Sequence, residues 1–434
     1  MPYDIILGRD SSDKKKFGKK GLIYLGKTFV TMGNFTSLSN NLFMDVARSH
    51  VILIAGKRGS GKSYSIGVMA EEISSLDSEV SQNIASIIFD TMGIFWTMKF
   101  KNEKESDLLR EWNIDPKNMS VEVFAPLGKA DEYKQRNIPI DNAFAIKPSE
   151  LSIEDWILTF NVAMTSQEGT LIQNSIKKLE DFEEFFIEDI KEQVEKEKEV
   201  SREAKNTVLA LFNAAEGWGI FAKKEDNGTE IADLVTAGKT TIIDLSAYSS
   251  IGTFNVRGLV IGLISRKLFE QRISARKKEE IQSIEHGADY LRYQQNREHP
   301  LIWMFIDEAH EFLPKDYKTP ATDSLIQILR EGRQPGISIV LATQQPGQIH
   351  RDVMTQSDIV LSHRVTSKPD IEALNQIMQT YLLESIKQKM DELPRVKGSA
   401  IILDDNSERI YPMRMRPRLT WHGGEAPTSV KSEE

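Results

Sequence analysis

The stretch "VILIAGKRGSGKSYSIGVMAEEI", residues 51 to 73, constrains the fold more than any other part of the chain. An apolar run leads into a loop of the pattern GxxxxGK[ST], and a segment rich in helix-forming residues follows it. In this setting the glycines let the backbone curl, so that its N–H groups and the helix amino terminus face phosphate oxygens. The alternative is an ordinary glycine-rich turn, which gives no reason for these flanks. We therefore expect a strand–loop–helix unit that binds a triphosphate.

The residues of this loop have distinct expected roles on ATP and Mg²⁺. Lys62 can reach the β- and γ-phosphates, and the hydroxyl of Ser63 can ligate Mg²⁺. Lys57 and Arg58 are flexible cations that could instead meet a neighbouring subunit. The expected nucleotide-binding set is Gly56, Lys57, Arg58, Gly59, Ser60, Gly61, Lys62, Ser63 and Tyr64.

Several further apolar runs predict an α/β fold with a parallel sheet. They are "IASIIFD", "VEVFAP", "TTIIDLS", "LIWMFIDE", "ISIVLATQQP", "DIVLSHRV" and "SAIILDD". Runs that are apolar on both faces are typical of strands covered by helices on each side. Helical stretches lie between most of them, which is the pattern of βαβ units.

The chain divides into five expected segments. Residues 1–47 read as a short β-rich amino-terminal segment, and 48–150 as the first part of an ATPase core. Residues 151–215 carry no strand signal and are rich in helix formers, which predicts a helical insertion. Residues 216–420 would complete the core, and 421–434 would form a flexible tail.

Composition excludes several classes of protein. The 434 residues include no cysteine, which rules out disulfides, thiolate metal sites and cysteine nucleophiles. The net charge of −9 argues against a chain that coats nucleic acid with its whole surface. Neither a signal peptide nor an apolar run long enough to span a bilayer is present, so we expect a cytoplasmic protein without membrane contact.

A second motif, "LIWMFIDEAH", supplies two adjacent carboxylates at the end of an apolar strand. Asp307 would hold Mg²⁺ through water, and Glu308 would be the general base that polarises the attacking water. The alternative is a strand end with two solvated acids. A glutamate directly after the metal-binding aspartate favours hydrolysis over simple nucleotide binding.

The segment "LREGRQPGISIVLATQQP" adds polar groups near the expected site. Gln344 follows an apolar strand and could touch the γ-phosphate or the attacking water. Arg330 and Arg333 lie on a helix and its exit turn, from which an arginine can stabilise transition-state charge in a neighbouring subunit's site. A surface salt bridge is the alternative for either arginine.

Taken in order, "GKRGSGKS", "FIDEAHEFLP", "EGRQPGISIVLATQQP" and "DVMTQSDIVLSHRV" resemble the HerA/FtsK group of P-loop motor ATPases, nearer to HerA. The resemblance implies a RecA-like P-loop NTPase core, a homo-hexameric ring and ATP-driven movement along double-stranded DNA. It also implies a partner, either a NurA-like nuclease or another effector.

By position in these motifs, the catalytic residues would be Lys62, Glu308, Gln344 and Arg333, and the metal-binding residues Ser63 and Asp307. Arg48 is a further candidate to reach nucleotide across an interface, and Arg364 is a weaker one.

The chain also departs from the family pattern. The amino-terminal segment looks too short for the β-barrel that HerA proteins use in assembly and nuclease docking. "FDTMGIFW" replaces the usual turn after the strand that ends at Asp90, which could still lie near the nucleotide.

Two segments could supply basic residues to a DNA-binding pore. One contains Arg276, Lys277 and Lys278, and the other contains Lys315 and Lys318. Solvated helix ends are the alternative for both, so the DNA assignment depends on the resemblance.

The expected function is Mg²⁺-dependent ATP hydrolysis that moves or unwinds double-stranded DNA. Two rivals remain open: a motor for single-stranded DNA or protein, and a nucleotide-gated scaffold that regulates an effector, for example in a defence complex.

Overall fold

The computed structural model describes residues 3–32, 35–248, 254–287, 298–378 and 386–425. The strands within these ranges are β1 (Ile5–Leu7), β2 (Leu22–Met32), β3 (Phe35–Asp45), β4 (Val51–Ala55), β5 (Ile84–Asp90), β6 (Val121–Pro126), β7 (Asn142–Phe144), β8 (Thr240–Asp244), β9 (Leu301–Ile306), β10 (Ile337–Thr343), β11 (Ile359–His363), β12 (Ser399–Asp404) and β13 (Arg409–Met415).

The α-helices in the same part of the chain are α1 (Ser11–Phe17), α2 (Lys62–Ser74), α3 (Ser78–Ser81), α4 (Ser106–Glu111), α5 (Ala130–Gln135), α6 (Ile153–Phe160), α7 (Gln167–Lys177), α8 (Ile187–Lys196), α9 (Arg202–Gly217), α10 (Ile231–Leu234), α11 (Val256–His286), α12 (Thr322–Glu331), α13 (Arg351–Gln356), α14 (Lys368–Met378) and α15 (Ile386–Glu392). Short 3₁₀ helices occur between several of them, including Ala309–Glu311 directly after the acidic motif.

The strands form one sheet in the order β1-β3-β2-β13-β12-β11-β4-β10-β9-β5-β8-β6-β7. The part from β11 to β7 is parallel throughout, so all its carboxyl ends lie along one edge. The sequence predicts most of these parallel strands, and it misses the three-residue β7. The expected α/β, RecA-like architecture is confirmed.

Both faces of the parallel sheet are buried, as the continuous apolar runs predict. In β4, Leu53 and Ala55 belong to one apolar cluster with α11 and α12, whereas Ile52 and Ile54 belong to a second cluster with α2. Successive side chains of a strand point to opposite faces, so helices must cover each side.

The region 151–215 contains α6, α7, α8 and α9 and no strand. Ser152 begins α6 with a capping box, and Trp156 within it is fully buried. The indole of Trp156 contacts the rings of Phe160, Phe212 and Phe221 at centroid distances of 5.1–5.4 Å. The helical character expected here is present, and the division of the chain into domains stays a prediction.

The amino-terminal region contains β1, β2 and β3, in keeping with its expected β-rich character. β2 and β3 are 11 residues each and form a hairpin, and β2 continues the main sheet by pairing with β13, with Thr28 opposite Met413. The sequence does not predict β13, which pairs with the preceding strand β12 on one side and with β2 on the other. The pairing with β2 joins segments hundreds of residues apart, so no local pattern indicates it.

A carboxyl-terminal clasp, defined here as residues 416–422, binds the helix α2. Glu71 of α2 is fully buried and accepts hydrogen bonds from the backbone N–H groups of Leu419 and Thr420, each at 3.0 Å. Arg416 and Arg418 lie 3.0 and 3.1 Å from its carboxylate oxygens. A buried carboxylate requires several hydrogen-bond and charge partners, because it has lost its hydration on folding.

The clasp corrects the expectation that the tail becomes flexible at residue 421. The backbone N–H of Trp421 donates to the Phe100 carbonyl at 2.8 Å, and the His422 ring meets the Tyr64 ring edge-on at 5.2 Å. Residues 426–434 of the expected tail lie outside the described residues.

Candidate nucleotide-binding and hydrolytic site

The loop between β4 and α2 has the conformation that its glycines predict. Gly59 and Gly61 have φ values of +71° and +111°, a region that other residues rarely adopt. A Cβ on Gly56 would lie 2.3 Å from the Ser60 hydroxyl oxygen, so glycine is needed there for space. These three positions explain the spacing of glycines in the motif.

Two neighbouring strands fix the base of the loop. The Gly56 N–H donates to the carbonyl of Thr343 at the end of β10, and the Lys57 N–H donates to the carbonyl of Arg364 after β11, each at 3.2 Å. The backbone of Arg364 therefore lies beside the phosphate loop of its own chain, and its expected role across an interface stays a prediction.

The remaining loop residues divide into exposed and buried groups. The side chains of Lys57 and Arg58 are exposed, so their part in phosphate binding within one chain would come from the backbone. The hydroxyl of Ser60 is buried and has no hydrogen-bond partner among the described residues. Such an orphaned group is unusual, and a phosphate oxygen would satisfy it.

The first turn of α2 presents backbone N–H groups to the loop, because the first residues of a helix lack intrahelical acceptors. The Tyr64 side chain has other partners, so its expected part in nucleotide binding stays a prediction for its backbone alone. Its hydroxyl donates to Glu105 Oε2 at 2.7 Å and accepts the N–H of Arg418, also at 2.7 Å. Tyr64 can thus serve a nucleotide only through its backbone N–H.

Lys62 is buried beside the acidic pair. Its Nζ donates to the Lys57 carbonyl at 3.4 Å, a long contact that a phosphate could replace. Burial lowers the pKa of Lys62, although the charges of Glu308 and Asp307 act in the opposite direction.

The two expected metal-binding groups are in direct contact. The Ser63 hydroxyl donates to Asp307 Oδ2 at 2.5 Å, and Asp307 is buried at the end of β9. Oxygen atoms from a hydroxyl and a carboxylate are the kind of donors that Mg²⁺ takes, with water and phosphate completing its shell. The residues present therefore fit the expected metal.

Glu308 has the geometry of a functional residue. Its φ is +51°, in the left-handed region that costs energy for a residue with a Cβ, and such strain often occurs at active sites. Its Oε1 accepts a hydrogen bond from Gln344 Nε2. Its Oε2 is buried and has no hydrogen-bond partner among the described residues, although His310 Nδ1 lies 3.6 Å away.

The surroundings of Glu308 also affect its proton affinity. Burial and, next, the charge of Asp307 raise its pKa, while Lys62 and Gln344 act against that shift. A carboxylate with a raised pKa and one unsatisfied oxygen can accept a proton from a bound water. Gln344 thus contacts the general-base candidate directly, and its expected contact with the γ-phosphate or the attacking water stays a prediction.

The arginines proposed to act across an interface lie at the opposite edge of the sheet. Arg333 is exposed in the turn between α12 and β10, and Arg48 precedes β4. Both therefore sit at the amino ends of parallel strands, whereas the phosphate loop follows a carboxyl end. Neither can reach the nucleotide site of its own chain.

Arg48 and Arg330 are also held by carboxylates. The guanidinium of Arg48 makes two hydrogen bonds of 2.9 Å to Asp13, and Arg330 Nε lies 2.6 Å from Asp352. Within one chain, Arg48 therefore does not join the nucleotide-binding residues. In contrast, the structure gives Arg333 no hydrogen bond or ion pair with any described residue.

Asp90 does not lie next to the phosphate loop, although its place at a strand end suggests that it could. β10 and β9 stand between β4 and β5, which at about 4.8 Å per strand gives roughly 14 Å. Asp90 instead accepts hydrogen bonds from the N–H groups of Met92, Gly93 and Phe95. Burial and the adjacent Asp244 raise the pKa of Asp90 to about 7.

Three of the basic candidates for DNA contact pair with carboxylates in the part of the chain that the structure describes. Arg276 pairs with Glu280 at 2.6 Å, Lys278 with Glu298 at 3.6 Å, and Lys318 with Asp323 at 2.8 Å. Part of the first basic segment, residues 288–297, lies outside the described residues.

Sequence reasoning missed His363, which supports the loop from below. Its Nε2 lies 2.8 Å from the Ser65 hydroxyl of α2, and its Cβ lies 2.8 Å from where a Cβ on Gly56 would be. Burial lowers the pKa of His363 to about 4, which keeps the ring neutral beside Lys62. In the sequence, this role of His363 could have been inferred from its position at the end of an apolar strand, close to the strand that precedes the loop.

The described residues hold no helix long and apolar enough to cross a bilayer. Comparison with protein families matches residues 31–267 to the model of the HerA helicase central domain, and residues 245–391 to the zonular occludens toxin (Zot) model. The first match covers 237 of the 434 residues, more than half of the chain.

Individual relatives agree with the family match. The DNA double-strand break repair helicase HerA of Saccharolobus solfataricus is 23% identical over 389 residues, covering 88% of this chain and 65% of that protein. HerA of Pyrococcus furiosus is 26% identical over 201 residues, covering 42% of this chain and 34% of that protein. The matched segments thus span less than two thirds of either relative.

Among solved structures, VirB4 of Thermoanaerobacter pseudethanolicus superposes with a TM-score of 0.55 at 12% identity, covering 91% of this chain and 96% of that chain. At this identity the match establishes the fold alone. The family match, the ordered motifs and the geometry of the loop agree, and the chain belongs to the HerA helicase family, within the HerA/FtsK-type P-loop motor ATPases.

Proposed function

We infer that this protein hydrolyses ATP with Mg²⁺ in a ring of identical subunits, and that hydrolysis drives movement along double-stranded DNA. The observation that carries the hydrolytic part is the state of Glu308. Its buried, strained carboxylate has one oxygen held by Gln344 and the other without a hydrogen-bond partner among the described residues, next to Asp307 and Lys62. A binding protein that only senses nucleotide does not require a carboxylate in this condition.

The side chains can divide the chemistry as follows. The N–H groups of the loop and Lys62 would bind the phosphates, and Ser63 with Asp307 would hold Mg²⁺. When bound, the metal would neutralise charge on the β- and γ-phosphates. Glu308 Oε2 would accept a proton from the attacking water.

Gln344 would change partners in this scheme. Its amide donates to Glu308 Oε1, and the γ-phosphate or the attacking water offers a competing acceptor on the same side of the sheet. Exchange of that hydrogen bond would release the carboxylate when ATP is present. Gln344 is thus a candidate sensor of the γ-phosphate.

The placement of arginines supports a site shared between subunits. The opposite edge of the sheet carries Arg333, exposed and without a hydrogen bond or ion pair to the described residues. In a head-to-tail ring this edge would face the neighbour's phosphate loop, and each site would take a guanidinium from the next subunit. A hexamer is the closed form that we propose, on the family resemblance.

Double-stranded DNA is the proposed polymer because the relatives named above are DNA double-strand break repair helicases. Lys277, Lys315 and Lys318 are candidates to bind its phosphates. A NurA-like nuclease or another effector would be the protein partner.

Steady-state ATP hydrolysis, with and without linear duplex DNA of increasing length, tests this function. Lys62→Ala supplies the blank. Stimulation that grows with DNA length supports translocation on duplex DNA. Hydrolysis that ignores duplex DNA but responds to single strands favours a motor for another polymer. Slow hydrolysis with no response to either, together with ATP-dependent assembly, favours a scaffold that regulates an effector.

A further inference from the structure

The helix α11 carries two arginines that are almost completely buried. It has 31 residues, and its side chains are buried without a break from Val256 to Ser265. Arg257 and Arg272 are 8% and 0% exposed. Buried cations are costly unless they are fully bonded, so each of these arginines must serve particular partners.

Arg257 joins three chain segments at the carboxyl edge of the sheet. Its guanidinium donates to the Thr91 carbonyl after β5 at 2.9 Å and to the Leu245 carbonyl after β8 at 3.3 Å. Its third contact is with Glu311 Oε2, at 3.3 Å. A planar guanidinium can hold three acceptors at fixed angles, which an ammonium group cannot do.

The contact with Glu311 leads directly to the hydrolytic residue. Glu311 ends the 3₁₀ helix Ala309–Glu311, and its N–H donates to the Glu308 carbonyl at 2.9 Å. The strained turn at Glu308 is therefore closed by a residue whose side chain Arg257 holds. Loss of Arg257 would loosen this turn without touching the carboxylate itself.

Arg272 holds the loop at the other edge of the sheet. Its Nε donates to the Pro335 carbonyl and its Nη1 to the His299 carbonyl, each at 2.8 Å. Its Nη2 lies 3.6 Å from the position of a Cβ on Gly336. Pro335 and Gly336 end the turn that carries Arg333, so Arg272 fixes the base of that turn.

We propose that Arg257 and Arg272 are positioning residues for the two halves of one composite site, a proposal that rests on the proposed function. Arg257 sets the turn with Glu308 in its own subunit, and Arg272 sets the turn with Arg333 that serves the neighbouring subunit. They lie 15 positions apart on α11, or about 22 Å at 1.5 Å per residue. One rigid helix thus connects a subunit's own site to the arginine it presents.

Lysine substitutions test each end, because lysine keeps the charge but loses the fork of donors. We expect Arg257→Lys and Arg272→Lys each to lower kcat about tenfold, with ATP affinity within about threefold of wild type. Arg266→Lys is the matched control on the same helix. Its guanidinium binds Asp155 and the Glu150 carbonyl near the helical insertion, and its kcat should stay within about twofold.

Mixed rings separate the two halves. In rings assembled from equal amounts of Arg257→Lys and Arg272→Lys subunits, about a quarter of the interfaces pair two intact halves. Their activity should be about threefold that of either variant alone. If Arg272→Lys does not fold, Glu279→Gln replaces it, because Glu279 Oε1 lies 3.2 and 3.3 Å from the Arg272 guanidinium.

Rings mixed from Glu308→Gln and Arg333→Ala provide the reference. If the reference mixture regains activity and the Arg257/Arg272 mixture does not, the positioning proposal is wrong and the shared site stands. If the reference mixture also stays inactive, the site is not shared as proposed, and both inferences fail. Equal losses of kcat in the Arg266→Lys control would likewise contradict the proposal, because any arginine of α11 would then have the same effect.

Discussion

The buried carboxylate of Glu71 offers the strongest test of how the clasp supports the nucleotide-binding helix. Glu71→Gln keeps the shape of the side chain and removes its charge, which leaves the buried Arg418 without this carboxylate and Arg416 with Glu72 as its remaining one. Removal of one partner from a buried ion pair costs about 3–5 kcal/mol. Because the glutamine amide still accepts some of these hydrogen bonds, we expect a loss of about 3 kcal/mol in the free energy of unfolding.

Urea unfolding, followed by far-ultraviolet circular dichroism, measures this loss. Glu72→Gln is the matched control, since Glu72 is the next residue of α2, binds Arg416 at 3.0 Å and is partly exposed. It should cost about 1 kcal/mol, less than Glu71→Gln, because the Glu72 carboxylate is partly exposed and water screens its interaction with Arg416. Similar small losses in both variants would refute the account of the clasp.

The pH dependence provides a second check on Glu71. Burial raises its pKa, but Arg418 and Arg416 more than offset this, so that the pKa is lowered from 4.5. A group whose pKa is lower in the folded state adds stability above its unfolded pKa, and that stability is lost as the pH falls through the folded value. The difference between wild type and Glu71→Gln should therefore be full above pH 4.5 and shrink below it.

Three further predictions concern other parts of the molecule. Burial would lower the pKa of His50, yet hydrogen bonds to Asp358 and Asp45 raise it to about 9 from 6.5. The contribution of His50 to stability should therefore be complete below pH 6.5 and disappear as the pH rises through about 9. The free energies of unfolding of wild type and His50→Gln, measured against pH, should converge there. Gly67→Ala would put a Cβ 2.5 Å from Arg418 Cζ and should lower the free energy of unfolding in urea by about 1–3 kcal/mol. A Cβ on Gly217 would have no atom within 4 Å, so the control Gly217→Ala should leave that free energy unchanged or raise it by up to about 1 kcal/mol. Gln344→Leu should lower kcat about 10- to 100-fold in a steady-state assay, because it removes one hydrogen bond to a charged group. The affinity for ATP should stay within about threefold of wild type. An unchanged kcat would exclude Gln344 from the chemistry.

Local patterns predict the parallel strands and the loop, because those features depend on residues close together in sequence. About ten residues of sequence are enough to recognise each of these features: the strand from Val51 to Ala55, the glycines of the loop, and the carboxylates of Asp307 and Glu308. Their meeting in space follows from a general property of parallel sheets, whose strands end at one edge.

Contacts between distant segments could not be predicted in the same way. Glu71 meets Leu419 across 348 positions, and β2 pairs with β13 across a similar span. In the sequence, Glu71 looks like one more charge on a helix, and Arg418 looks like part of a polar end. Only the packed structure explains why Gly67 must lack a side chain at the point where Arg418 crosses α2.

Side-chain contacts within one chain could not be predicted from position in the motif. Tyr64 directly follows the phosphate-binding residues, yet its hydroxyl joins Glu105 and the clasp. Arg48 lies shortly before β4, at the amino edge of the sheet, where it pairs with Asp13. Its expected role across an interface stays a prediction.

The most direct test of the hydrolytic assignment is ATP turnover by Glu308→Gln, measured with equilibrium binding of a fluorescent ATP analogue on the same preparation. The account predicts binding within about threefold of wild type and a loss of about 10²- to 10⁴-fold in kcat, the usual contribution of a general base. Turnover within about threefold of wild type would contradict the assignment of Glu308 and, with it, the proposed mechanism.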